Sequence, residues 1–103
     1  SEVIIANMLY ENHIPYTYEK ELNIGGFKKI PDFTIEDEES GDIWYWEHCG
    51  MMNDDNYKKR WEAKKKFYAE NGIVEGKNLI ITEEDGHGFD SSEIKKIIDK
   101  YLK

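Results

Sequence analysis

Two runs of β-branched and aromatic residues, Ile30-Pro31-Asp32-Phe33-Thr34-Ile35 and Ile43-Trp44-Tyr45-Trp46-Glu47-His48-Cys49-Gly50, flank the acidic stretch Glu38-Glu39-Ser40-Gly41. Turn chemistry between two strand-forming runs makes an antiparallel hairpin. With the loop confined to residues 38–41, position 37 faces 42, 36 faces 43, and Asp32 therefore faces Glu47. Like charges directly across a ladder destabilise it. A divalent cation held between the two carboxylates resolves the conflict. So does an acid turned to solvent or a register slipped by one residue, and the pattern alone leaves both open.

The chain has room for one modest core, so residues 1–103 are read as a single domain. It opens on Ser1-Glu2 without an initiator Met, and the expectation is a domain excised from a longer protein. Its formal charge of -8 argues against a free-standing DNA-binding module, because such modules neutralise phosphates with basic side chains. A metal-dependent active site is compatible with that charge, since it needs carboxylates and takes positive charge from its ions. Cys49 is the only cysteine, which excludes an internal disulfide and a thiol-built zinc cluster and fits a cytoplasmic location. No apolar run is long enough to span a bilayer, and no signal peptide is present, so no membrane partner is expected.

Residues 2 to about 12 read as a helix with Ser1 as N-cap and Ile5, Ala6 and Leu9 as its apolar stripe. Glu2 shares that stripe, although a first-turn carboxylate also gains from the helix dipole. Asn12-His13-Ile14-Pro15 breaks the helix, and the alternation over residues 16–22 predicts one strand, with Asn23-Ile24-Gly25-Gly26 leading into the central hairpin. Pro31, which cannot donate to a ladder, marks an edge, a strand start or a bulge beside Asp32.

Asn53-Asp54-Asp55 opens a second helix that closes on Asn71-Gly72. Tyr57, Trp61, Lys64 and Tyr68 recur at helical spacing, so one face carries three large aromatics with a lysine among them. Lys64 either snorkels past those rings to water or reaches along the buried face to carboxylates. Lys58, Lys59, Glu62, Lys65 and Lys66 cover the other side and read as a solvated outer face, with phosphate contact by the lysines as the alternative. Residues 77–82 form a short buried strand reached by a crossover, residues 83–89 a polar turn, and Asp90 with Glu93 caps a closing helix whose apolar face is Ile94, Ile97, Ile98, Tyr101 and Leu102.

Asp32, Glu47, Glu2 and Lys64 thus lie on four different elements, each placed inward or toward a shared edge. They can satisfy one another as a structural ion network. They also match the needs of phosphodiester hydrolysis, in which carboxylates hold Mg²⁺ or Mn²⁺ and a lysine orients the attacking water or neutralises developing charge.

Pro31-Asp32, with Glu47-His48-Cys49 beginning fifteen residues after the Asp in an αβββαβ order, resembles the PD-(D/E)xK nuclease superfamily over nearly the whole chain. The runs Ile30-Pro31-Asp32-Phe33-Thr34-Ile35, Trp46-Glu47-His48-Cys49-Gly50-Met51 and Trp61-Glu62-Ala63-Lys64 are most similar to nuclease-like domains attached to UvrD-type DNA helicases, which read "EHxG" here. The resemblance implies a restriction-endonuclease-like α/β fold: a mixed central sheet flanked by helices, with an extra C-terminal helix. It implies Asp32, Glu47 and the main-chain carbonyl of His48 as metal ligands, with Glu2 matching the acidic residue of the superfamily's first helix. DNA and the helicase portion of a parent protein would be the partners.

The sequence departs from the motif at Cys49, where the superfamily carries lysine. A thiol does not replace a permanent ammonium. Either the lysine has migrated to the following helix as Lys64, or the site binds without cutting. The expected function is a Mg²⁺- or Mn²⁺-dependent deoxyribonuclease with Asp32, Glu47 and Lys64 as its catalytic set; the rival is an inactive nuclease-fold module for DNA or protein binding. A thiol enzyme built on Cys49 and His48 is disfavoured, because adjacent strand residues point to opposite faces.

Overall fold

The central hairpin forms in the register its loop length demands. In the computed structural model, which describes residues 2–84 and 90–103, the strands pair Phe33 with Trp46, Thr34 with Tyr45, Ile35 with Trp44 and Glu36 with Ile43. The Asp37 N–H donates to the Asp42 carbonyl at 2.8 Å. Gly41, at φ 77°, takes the left-handed conformation that closes the turn without a Cβ clash. One step beyond the ladder, Asp32 stands opposite Glu47.

In chain order the elements are α1 (Glu2–Glu11), β1 (Thr17–Tyr18), β2 (Leu22–Ile24), β3 (Phe27–Lys29), β4 (Phe33–Glu36), β5 (Ile43–Cys49), α2 (Asp55–Glu70), β6 (Leu79–Glu83) and α3 (Ser91–Tyr101). A mixed four-stranded sheet runs β1-β4-β5-β6, antiparallel except for the parallel β5–β6 pair. That parallel pair is joined through α2, the expected crossover. The fold is mixed α/β with three helices. The N-cap expectation for Ser1 and the turn expectation for 85–89 lie outside the described residues.

Strand alternation sorts the core into two layers. Phe33, Ile35, Trp46 and Ile80 pack with Ile5 and Leu9 of α1 and Ile94 and Ile98 of α3. On the opposite face, Cys49 and Leu79 pack with Trp61 and Tyr68 of α2 and with Ile73. Helices on both faces explain why Phe33-Thr34-Ile35 and Trp46 through Cys49 are buried without interruption. Asp54 caps α2, its Oδ1 accepting the N–H groups of Asn56 and Tyr57 at 2.9 and 3.0 Å.

The single strand expected over residues 16–22 is two strands in two sheets. Glu19 adopts φ 51°, which breaks the extended run. Only Thr17 and Tyr18 pair with β4, while Leu22–Ile24 folds back on Phe27–Lys29 around Gly25 and Gly26. Those glycines, at φ 55° and 83°, therefore close a separate hairpin rather than leading into the central one. Tertiary contacts account for the split: the Glu19 N–H donates to the Asp32 carbonyl at 3.0 Å, and Leu22 and Ile24 pack onto the α2 cluster.

Candidate active site

Residues from four elements meet at one end of the sheet. Pro31, fully buried, lies two residues before β4 and sets Asp32 beside the middle of the buried half of β5. Glu47 lies on the β5 face that α2 crosses, so the α2 stripe of Tyr57, Trp61, Lys64 and Tyr68 passes over it. Glu2, in the first turn of α1, is held by the Tyr18 hydroxyl, which donates to its Oε2 at 2.7 Å. Glu2, Asp32, Glu47, His48 and Lys64 all line one cavity of about 300 Å³, together with Cys49, Tyr57, Arg60 and Trp61.

Glu47 is 4% exposed, and a carboxylate at that depth needs compensation. Lys64 Nζ lies 2.5 Å from its Oε2, and the Tyr68 hydroxyl donates to the same oxygen at 2.8 Å. Its Oε1 accepts the Asp32 main-chain N–H at 3.3 Å. Lys64 also donates to the Ile30 carbonyl at 3.4 Å and sits 5.6 Å from the centre of the Tyr68 ring. The lysine on the aromatic stripe thus turns inward to a carboxylate. Burial and the Glu47 charge push the Tyr68 hydroxyl far above its ordinary range, so it remains a donor.

Asp32 is the strained member of the group. Its Oδ2 accepts the His48 main-chain N–H at 2.7 Å, which favours the charged form. Burial outweighs that bond, and the neighbouring Glu2 and Glu47 add to it, so the carboxyl is pushed up to about 7. Glu2 moves the other way, held below its usual value chiefly by the Tyr18 hydroxyl. The two carboxyls thus differ in proton affinity, Asp32 holding its proton to higher pH than Glu2.

His48 faces the α1/α3 side of the sheet with its ring and the β4 side with its peptide group. Thr82 Oγ1 lies 2.8 Å from Nδ1 and accepts the Trp46 indole N–H at 3.1 Å, while Glu84 Oε2 is 3.4 Å from Nε2. Burial lowers the imidazole pKa. Peptide groups alternate sides along a strand. The Cys49 carbonyl takes the Glu84 N–H on the β6 side, so the His48 carbonyl, like its N–H, faces the Asp32 side. Cys49 is buried, and burial together with Glu47, Glu83 and Asp32 pushes its thiol up to about 12, which leaves no thiolate for nucleophilic chemistry.

Among the described residues, no group of three or more His, Cys, Asp and Glu side chains is placed to hold a metal ion. Glu47 Oε2 is occupied by Lys64 and Tyr68, and Glu2 Oε2 by Tyr18. The donor chemistry nevertheless suits a hard divalent cation, with two carboxylates side by side and a third adjoining. Burial is the chief cause of the raised proton affinity of Asp32; the charges of Glu47 and Glu2 add to it, and such a cation would offset them.

Two contributors escaped the sequence reading. Tyr68 was placed on the aromatic stripe without a role for its hydroxyl, and Arg60 was not singled out at all. Arg60 stands one turn before Lys64, and that spacing was the available signal.

No family model matches the chain, and no solved structure matches it. An uncharacterized protein of Methanocaldococcus jannaschii is 36% identical over 76 residues, covering 70% of this chain. The chain spans 6% of the length of that curated relative. Among the described residues no helix is long and apolar enough to cross a membrane.

Proposed function

We propose that this chain is a PD-(D/E)xK-type nuclease domain, with a restriction-endonuclease-like αβββαβ core, that hydrolyses DNA phosphodiester bonds with Mg²⁺ or Mn²⁺ as part of a larger, helicase-associated protein. Setting the β2–β3 pair aside, the order α1, β1, β4, β5, α2, β6 supports that core, with α3 as the extra helix. The observation that carries the reading is the Lys64 ammonium. It comes from the helix after the motif strand and stands 2.5 Å from Glu47, beside Asp32, where the strand itself offers only the Cys49 thiol.

Asp32, Glu47 and the His48 carbonyl would hold the ion, with Glu2 adjoining. When bound, the ion lowers the pKa of a water and polarises the phosphoryl oxygen. Asp32 would serve the ion as its carboxylate, the form that burial disfavours without a cation. Tyr68 keeps Glu47 oriented through its hydroxyl, which donates to Oε2. Lys64 holds the attacking water and neutralises charge developing on the phosphoryl oxygens. The net charge of -8 implies that other parts of a larger polypeptide deliver the DNA. The match to a small part of a much longer archaeal protein supports that reading.

One observation favours a second reading. Glu47 already has an ion-pair partner and two hydrogen bonds, so the same residues can serve as a self-contained structural network in an inactive DNA- or protein-binding module. Thermal melting with Mn²⁺ separates the two. For a nuclease site, Mn²⁺ at a hundredfold excess over Kd stabilises the wild type by about 2.7 kcal/mol through mass action, read as a higher melting temperature, and Asp32→Ala abolishes the rise. For the inactive module, Mn²⁺ has no effect, and the nuclease proposal is withdrawn.

A further inference from the structure

We infer that Arg60 is a DNA-backbone anchor of this cavity, gripping the phosphate next to the one that Lys64 faces. The inference rests on the nuclease reading for its ligand and on separate observations for its residue.

The cavity is divided by charge. Its carboxylates come from α1 and the sheet, whereas its cations, Arg60 and Lys64, both come from α2. Lys64 is engaged with Glu47. Arg60 is exposed and, among the described residues, makes no hydrogen bond or ion pair. Its helical neighbours at three and four positions are Asn56, Tyr57, Ala63 and Lys64, so the helix itself supplies no acid to pair with it. Of the other α2 cations, Lys65 pairs with Glu75, whereas Lys58, Lys59 and Lys66 likewise show no ion pair among the described residues; what sets Arg60 apart is its place in the cavity lining. In a chain of net charge -8, Arg60 is an exposed guanidinium in the lining of an acid-walled cavity.

Guanidinium presents a planar fork that fits two phosphate oxygens, which ammonium does not. One turn along the helix separates Arg60 from Lys64, about 6 Å. That is the scale of a single nucleotide step, so a strand laid along α2 meets both residues at successive phosphates. Lys58, Lys59 and Lys66 lie around the helix from the cavity and are not part of this contact.

The test measures binding apart from cleavage. Fluorescence anisotropy of a short labelled single-stranded DNA is followed with the full chain carrying Asp32→Ala, alone and with Arg60→Ala or Arg60→Lys, over a salt series. Arg60→Ala should weaken binding roughly tenfold, the scale of one charge-assisted hydrogen bond. It should also flatten the slope of log K against log salt by about 0.7, the loss of one single-strand phosphate contact. Arg60→Lys should restore the slope but not the affinity. Equal binding and equal slope in Arg60→Ala overturn the anchor, as does an absence of DNA binding by the parent. If the Arg60 effect is present while the chain with native Asp32 leaves DNA uncut in Mn²⁺, the anchor stands and the nuclease reading falls.

Discussion

Lys64 Nζ sits 2.5 Å from Glu47 Oε2, joining an ammonium on α2 to a carboxylate in the middle of the sheet. Neither charge is in place without the other. The Glu47 side chain is 5% exposed and cannot turn to water, and Lys64, at 27%, is drawn into an aromatic stripe that has no other use for a cation.

Removing one partner of such a pair leaves the other uncompensated. Lys64→Ala should destabilise the chain by about 3 kcal/mol, the scale for breaking a buried ion pair. Adding Glu47→Gln should recover part of that loss, giving a coupling energy in urea denaturation. Under the nuclease proposal, Lys64→Ala also abolishes DNA cleavage while the Mn²⁺-induced rise in melting temperature survives. Normal cleavage by this variant would remove Lys64 from the catalytic set.

Tyr68→Phe tests the second support of the same carboxylate. The ring and its packing remain, while Glu47 loses the hydroxyl donor at 2.8 Å. A cost of about 1–2 kcal/mol is expected for withdrawing a hydrogen bond from a buried charged group, read as a lower urea midpoint with an unchanged slope.

The pH dependence of stability carries the signature of Asp32. Its folded-state pKa is raised from 3.8 to about 7, chiefly by burial. The folded chain therefore binds this proton more tightly than the unfolded chain does. The resulting stability is complete below the unfolded value and is lost as pH rises through about 7. Glu2, held low chiefly by Tyr18, has the opposite sign and acts below its ordinary range. Between about pH 5 and 7 the wild type should lose stability relative to Asp32→Asn, measured as melting temperature in the absence of divalent ions.

Cys49 should be inert in the native state. Its thiol is 1% exposed and pushed up to about 12. Iodoacetamide at pH 8 should label it only after urea unfolding, as checked by intact mass. Rapid labelling of the folded chain would reopen the thiol-enzyme reading.

Much of the site was legible because its signals are local. A loop limited to residues 38–41 sets the hairpin register, and that register alone brings Asp32 opposite Glu47. Helical spacing alone puts Lys64 on the face of Tyr57, Trp61 and Tyr68. What was misread depends on contacts distant along the chain. Glu19 carries no mark of its left-handed conformation, which goes with an N–H bonded to Asp32, thirteen residues on. The β2–β3 hairpin owes its place to the α2 surface it covers.

By itself the sequence determined that a lysine would ride the apolar face of the second helix, and that two carboxylates would share one rung if the loop kept to residues 38–41, because strand and helix periods dictate which side chains share a face. Only the tertiary structure decided that the hairpin keeps that register, that this helix crosses the sheet on the side of Glu47, that Tyr68 and Lys64 both close on the same oxygen, and that burial raises the proton affinity of Asp32. Those outcomes depend on burial and on distances between separate elements. Neither is encoded in the spacing of residues along a single one.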